Sequence, residues 1–265
     1  MNENNLEYLQ NNLKYLGFGE SLNQQLKESI DKALPQFTLR LDITMPAVNA
    51  KDKPELADNI QYQLDFSKSK ETDLYFFNKY QAFLEPAGKP YDTVDQIFFI
   101  NKGKGVTAKE SYNLLSGRAV NKDVVLKNGE KANMWLKLDL SERDPEKGYT
   151  VKNYGENYGF SLASSVDKFV LPDIDKPGFR DQLMKSLERG NLHEVSFSKD
   201  GKEMKGFVAA NPQFKTLDFY DHNLRSVYSK AVDLKEVSAK VLAPDDKKEA
   251  VVEEATVEKK TGRGR

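Results

Sequence analysis

The residue types that can carry catalysis are scarce in this 265-residue chain, which has two histidines and no cysteine. Without cysteine there is no thiol nucleophile, zinc–thiolate centre or disulfide framework. His193 falls at the edge of a strand, and His222 sits in a turn between Asp221 and Asn223. An imidazole beside a carboxylate is the core of general-base catalysis, but adjacency in sequence supplies no third, convergent partner. HExxH, GxSxG, P-loop and EF-hand patterns are all missing from the sequence. Two aspartates, Asp65 and Asp139, occupy matching places in "LDF" and "LDL". In one cleft they would form an acid–base pair; as outward residues of two alternating strands they would stand a whole unit apart. No catalytic residue, metal-ligand set or cofactor motif follows, and the chain reads as non-enzymatic.

Binding chemistry is better represented. "INKGKGV" (100–106) sets Lys102 and Lys104 among glycines, ahead of a helix start. With the free N–H groups of 107–109 these lysines would hold one phosphate, while a hinge between units is the simpler reading. "LGFGESL" (16–22) also places glycines before a helix, but it follows a helix and not a strand, so it reads as a helix–helix turn. Aromatics crowd three stretches: Tyr75, Phe76, Phe77, Tyr80 and Phe83; Tyr149, Tyr154, Tyr158 and Phe160; Phe214, Phe219 and Tyr220. Packing between units accounts for most of them. Alternation must still turn some outward, where Tyr80 with Lys79, and Trp135 with Lys152, have the types that stack bases and hold phosphates. Trp135 lies opposite the leucine face of its strand, which marks it for an exposed or inter-unit contact.

The charge balance limits that reading. Lys and Arg number 40 against 41 Asp and Glu, so coating nucleic acid by bulk charge is disfavoured and any contact must be a local basic face. No apolar run approaches the roughly 18 residues a membrane span needs, and the amino terminus has neither a basic nor an apolar signal region. A cytoplasmic protein without membrane contact is expected.

The elements that must carry these residues are legible from periodicity. Leu6, Leu9, Leu13 and Leu16 form one face of a helix over 4–16, and Leu22, Leu26 and Ile30 the face of a second that Pro35 ends. Phe37, Leu39, Leu41 and Ile43 alternate as a strand, followed by strands near 60–67 and 73–84. Thr107 and Glu110 fit a capping box, with Ala108, Tyr112 and Leu115 on one face and Gly117 after it. Asn128-Gly129 then predicts a hairpin whose second strand turns Met134, Leu136, Leu138 and Leu140 one way, and a third strand is expected near 149–154. A short helical piece at 162–170 leads to a helix on Phe179, Leu183 and Leu187 and a hairpin at Asp200-Gly201.

The order helix, strand, strand, strand thus recurs three times. The fold class is α+β: tandem imperfect αβββ units, each an antiparallel sheet packed by a helix. Residues 1–105 hold the N-terminal helices and first unit, 106–228 the second and third. Residues 229–265 contain no aromatic residue and are expected to be a disordered tail.

Six segments, "YFFNKYQA", "FFINKGKGVTAKESYNLLSGRAVNKD", "NMWLKLDL", "ENYGF", "SLERGN" and "ANPQFKTLDFYD", follow one another in the chain. Together they resemble an uncharacterised domain-of-unknown-function family common in Bacteroidetes and often carried on conjugative transposons. The resemblance spans nearly all of 6–228. The family shows a histidine before "ENYGF" where this chain has Gly155, so a shared catalytic histidine is not implied there. The resemblance implies a cytoplasmic setting tied to a mobile element and no established activity. The expected function is a binding or accessory protein with nucleic acid or a nucleoprotein as partner; the alternative is a protein–protein adaptor or an inhibitor of a host defence factor.

Overall fold

The computed structural model describes residues 2–48, 57–89, 91–126, 128–145 and 147–235. Its first helices are α1 (Glu3–Tyr15) and α2 (Asn23–Asp31). The Asn2 side chain accepts from the Asn5 N–H at 3.1 Å and caps α1. The leucine stripe of α1 and the Leu22, Leu26 and Ile30 face of α2 are buried, as the spacing predicts.

Four strands follow as an antiparallel meander: β1 (Gln36–Met45), β2 (Asp58–Lys68), β3 (Tyr75–Glu85) and β4 (Val94–Phe99). The sequence reading has three strands here and misses β4. Its polar "VDQ" start hides Gln96 and Phe98, which are buried against the sheet. Helix α3 (Ala108–Leu115) opens with the expected capping box. The second sheet is β5 (Val120–Val125), β6 (Lys131–Asp144) and β7 (Gly148–Gly155). After α4 (Leu162–Asp167) and α5 (Phe179–Glu188) the third sheet is β8 (His193–Lys199), β9 (Lys202–Asn211), β10 (Thr216–Asp221) and the short β11 (Ser226–Val227).

The chain is therefore α+β, with three antiparallel sheets in tandem. The two hairpin signals differ in outcome. Asp200 and Gly201 both take positive φ, 52° and 72°, as a two-residue turn requires. At the other, Leu126 N–H bonds to the Glu130 carbonyl at 2.8 Å and Gly129 N–H to the Leu126 carbonyl at 2.9 Å, so the loop is longer than a two-residue turn.

The units are not separate domains in their packing. The first core joins α1, α2, α3, one face of the first sheet and one face of the second, including Leu136 and Leu138. The second joins α4, α5, the third sheet and the opposite face of the second sheet, through Trp135 and Tyr154. Successive residues of β6 thus enter different cores, because side chains alternate across a pleated strand. The border placed at 105/106 runs through the first core, where α3 packs on β3 and β4.

Two motif segments meet where α3 holds the end of α5. Asn113 Nδ2 donates to the Arg189 carbonyl at 2.7 Å and to Asn191 Oδ1 at 2.9 Å. Arg118 Nε donates to the Gly190 carbonyl at 2.9 Å, and its Nη2 to Asn113 Oδ1 at 2.7 Å. These donors satisfy carbonyls that a helix end leaves unpaired. "NLLSGR" and "SLERGN" are thereby explained as one structural clasp.

The first residues assigned to a disordered tail are ordered. Val232 is buried, and Asp233 accepts from the backbone N–H groups of Asp200 and Gly201 at 3.1 and 2.8 Å. The carboxylate closes the β8–β9 turn, a long-range partner that composition does not reveal. The remainder of that expectation, 236–265, lies outside the described residues.

Candidate binding groove

A groove of about 900 Å³ runs between the end of α1, the 99–107 segment and the edge strand β5. Its exposed apolar walls are Tyr15, 81% exposed, Phe99, 74% exposed, and Val125. Lys102 and Lys104 line it and are exposed, with no ion-pair partner among the described residues. The floor is polar: Asn121 and Asn133 exchange amide hydrogen bonds at 2.6 and 2.9 Å, and Asn133 also donates to Asp123 at 2.8 Å. Lys122 and Glu110 form an ion pair at 2.6 Å beside it.

The lysine loop is fixed by local chemistry. Asn101 and Lys104 exchange backbone bonds at 2.8 and 3.0 Å, and Lys102 and Gly103 take φ of 49° and 74°, a tight turn with both central residues left-handed. Asn12 of α1 donates to the Gly103 carbonyl at 2.8 Å. A Cβ on Gly103 would lie 2.7 Å from Asn12 Nδ2 and from the Tyr8 hydroxyl, so only glycine allows this approach.

The phosphate expected at the N–H groups of 107–109 has less room than the sequence suggests. Thr107 N–H donates to Glu110 Oε2 at 2.8 Å, and Ala108 N–H to the Leu16 carbonyl at 2.8 Å. The capping box and the end of α1 occupy two of the three donors, which makes the lysines the main anion-attracting part of the loop.

Tyr80 and Trp135 are corrected as base-stacking residues. Tyr80 is 0% exposed, packed among Phe18, Phe77 and Phe98, and its hydroxyl donates to the Val106 carbonyl at 2.7 Å. Tyr62 does the same for the Ala108 carbonyl at 2.7 Å. Both tyrosines pin the far side of the groove loop from beneath. Trp135 is 8% exposed and meets Phe160 edge-to-face at 5.3 Å, an inter-unit contact and not a surface one.

Lys79 and Lys152 are spoken for by their repeat-equivalent acids. Lys79 lies 3.8 Å from Asp65 on the neighbouring strand, and Lys152 lies 2.6 Å from Asp139. The Lys152 ammonium, with the Ser141 donors, lowers the Asp139 carboxyl to about 2. Each aspartate therefore serves its own sheet as half of a cross-strand ion pair, and the two do not form an acid–base dyad. Of the six residues singled out, the structure brings only Lys102 and Lys104 to the groove. Tyr15 and Phe99 were missed: Tyr15 is the off-face residue of a leucine helix, and Phe99 is the outward residue of the strand that was not recognised.

His193 packs edge-on to Phe179 at 5.5 Å, and burial lowers its pKa by disfavouring the charged imidazolium. No group of three or more His, Asp or Glu able to hold a metal occurs among the described residues. Comparison of the chain with protein-family models, with curated proteins and with solved structures returns no match.

Proposed function

We propose that the protein is a non-enzymatic binding module whose groove takes single-stranded nucleic acid, in the service of the mobile element that the family resemblance implies. The observation that carries this reading is the pairing, along one groove, of two exposed aromatics, Tyr15 and Phe99, with two lysines, Lys102 and Lys104, that have no ion-pair partner among the described residues. Stacking is tolerant of sequence because every base has a π-face, and the lysines neutralise the backbone between bases. Asn121 keeps one amide N–H, and each Asn carbonyl a second lone pair, for base edges. A net charge of -1 makes the contact local, so affinity rests on this loop.

Fluorescence anisotropy with labelled single-stranded DNA and RNA at two salt concentrations tests this. Binding is expected to weaken linearly in log salt. Lys102→Ala with Lys104→Ala is expected to reduce the salt slope by about 1.4, from roughly 0.7 per phosphate contact on single strands. Phe99→Ala should weaken binding by about five- to a hundredfold, the range of one base–aromatic stack. An absence of binding at low salt, or a double variant with an unchanged slope, rejects the nucleic-acid reading.

A second reading is favoured by one observation. β5 is an edge strand, and its outward backbone groups have no backbone partner among the described residues. An extended protein segment could add to that edge as a further strand, with Phe99 and Val125 as apolar contacts. If nucleic acid fails to bind, this adaptor role leads.

A further inference from the structure

A second pocket, of about 200 Å³, lies away from the groove, between β6, β7 and the Pro212–Phe214 turn; Lys137, Asp139, Lys152 and Gln213 line it. Lys137 and Lys152 are directly opposite each other in the β6–β7 register and so share one face. Like charges opposite one another in an antiparallel pair are destabilising. Only Lys152 is neutralised, by Asp139 at 2.6 Å; Lys137 has no ion-pair partner among the described residues. Lys215 follows the pocket-lining Gln213 by two residues. Lys215 takes φ of 54° and holds its ammonium 4.8 Å from the centre of the Tyr158 ring, and the Tyr158 hydroxyl donates to the Gln213 carbonyl at 2.7 Å. The left-handed Lys215 caps the Pro212–Phe214 turn, its N–H bonded to the Pro212 carbonyl at 3.1 Å.

One step along the same face, Tyr154 is buried and its hydroxyl has no hydrogen-bond partner among the described residues. Tyr158 packs against it edge-on at 4.8 Å. Buried hydroxyls are ordinarily paired, so an orphan next to a like-charge pair calls for an acceptor from outside.

We propose that this pocket is a phosphoryl-binding site, formed by Lys137 and Lys152. A phosphate oxygen would relieve the lysine–lysine repulsion, which the single carboxylate of Asp139 does not. The chemistry is shared by a free oligophosphate and by a nucleic-acid backbone phosphate. The site does not rest on the groove reading, because it uses none of the groove residues.

The chain has one tryptophan, Trp135, which pairs with Tyr154 two residues along from the Lys137–Lys152 pair on the same face, so its fluorescence reports on the pocket. The test titrates the whole protein with inorganic pyrophosphate, and separately with an unlabelled single-stranded oligonucleotide, at ionic strength held constant with potassium chloride. A saturable change is expected with at least one probe, and which probe saturates identifies the source of the phosphate. Lys137→Met, which keeps the aliphatic stem, should weaken that response about tenfold or more, while Lys102→Ala with Lys104→Ala leaves it unchanged. Without ligand, Lys137→Met should melt at or above the wild-type temperature. The proposal is overturned by the lack of a saturable response to either probe, by a response that survives in Lys137→Met, or by a Lys137→Met protein that melts several degrees lower. The groove reading stands or falls separately, on the salt slope of the Lys102/Lys104 variant.

Discussion

Raising the pH from about 9.5 to about 11.5 is expected to unfold this protein steeply, because the folded state holds three tyrosine hydroxyls neutral that the unfolded chain releases near pH 10. Tyr62, Tyr80 and Tyr112 are buried, and their hydroxyls donate at 2.7 Å to the Ala108 carbonyl, the Val106 carbonyl and Asp58. Burial pushes Tyr112 up to about 12, with its bond to the Asp58 carboxylate adding to the shift, and burial raises Tyr62 and Tyr80 further. The folded pKa values lie above the unfolded ones. The stability from the neutral hydroxyls is therefore complete below about pH 10 and is lost as the pH climbs through the folded values. Each such tyrosine contributes about 1.4 kcal/mol per pH unit, so three give a slope of about 4 kcal/mol per unit.

Against a typical total of about 5–15 kcal/mol, one to two units of pH remove most of the stability. Ion-paired lysines such as Lys152, raised by Asp139, act with the same sign, but they are exposed and add little. Lys109, lowered by burial and by Arg118, acts with the opposite sign. Urea unfolding followed by circular dichroism across this range measures the slope. Tyr80→Phe should lose about 1–2 kcal/mol at neutral pH, from the unpaired Val106 carbonyl, and about a third of the alkaline slope. A stability that stays flat from pH 9.5 to 11.5 would show that these hydroxyls are not buried as described.

Gly190→Ala is expected to be the most damaging single methyl addition at the α3–α5 clasp. Gly190 takes φ of 77°, and an added Cβ would lie 2.7 Å from the Ala119 carbonyl, 2.8 Å from Val120 Cγ2 and 3.2 Å from Asn113 Cβ. The left-handed backbone costs an alanine about 1–2 kcal/mol, and overpacking against a carbonyl and a buried valine adds about 1–3. The sum, about 2–5 kcal/mol, corresponds to a fall in Tm of roughly 4–20 °C for a unit of this size. Gly201→Ala is the control: its φ is 72°, but nothing lies within 4 Å of the new methyl, so only the backbone cost applies. Differential scanning calorimetry of both variants separates the two contributions. If Gly190→Ala melts no lower than Gly201→Ala, the end of α5 is not clasped by α3 in solution.

Local chemistry was readable in the sequence wherever one segment decides its own conformation. The Leu6–Leu13 stripe, the Thr107–Glu110 capping box and the Asp200-Gly201 turn are each set by neighbours a few residues apart. The alternation of β6 was readable too, with Leu136 and Leu138 on one face and Trp135 on the other. What alternation does not state is what each face meets. Both faces of the second sheet are covered, so Trp135 is a core residue of the second half and not a platform for bases.

The same limit explains Tyr80, Lys79 and Lys152. Their types suit nucleic acid, but burial and partners depend on strands that lie tens of residues away. Asp65 reaches Lys79 because β2 and β3 pair in that register, and Tyr80 is sealed by α1's neighbour Phe18 and by Phe98 of a strand whose polar start disguised it. By itself the sequence determined the α+β class, the helix faces and the lysine-bearing loop, all consequences of short-range periodicity and turn chemistry. The tertiary structure alone decided which aromatics remain in water, Tyr15, Phe99 and Phe214 among them, and which lysines have no ion-pair partner among the described residues, because exposure is settled by what packs against a residue and not by its neighbours in the chain.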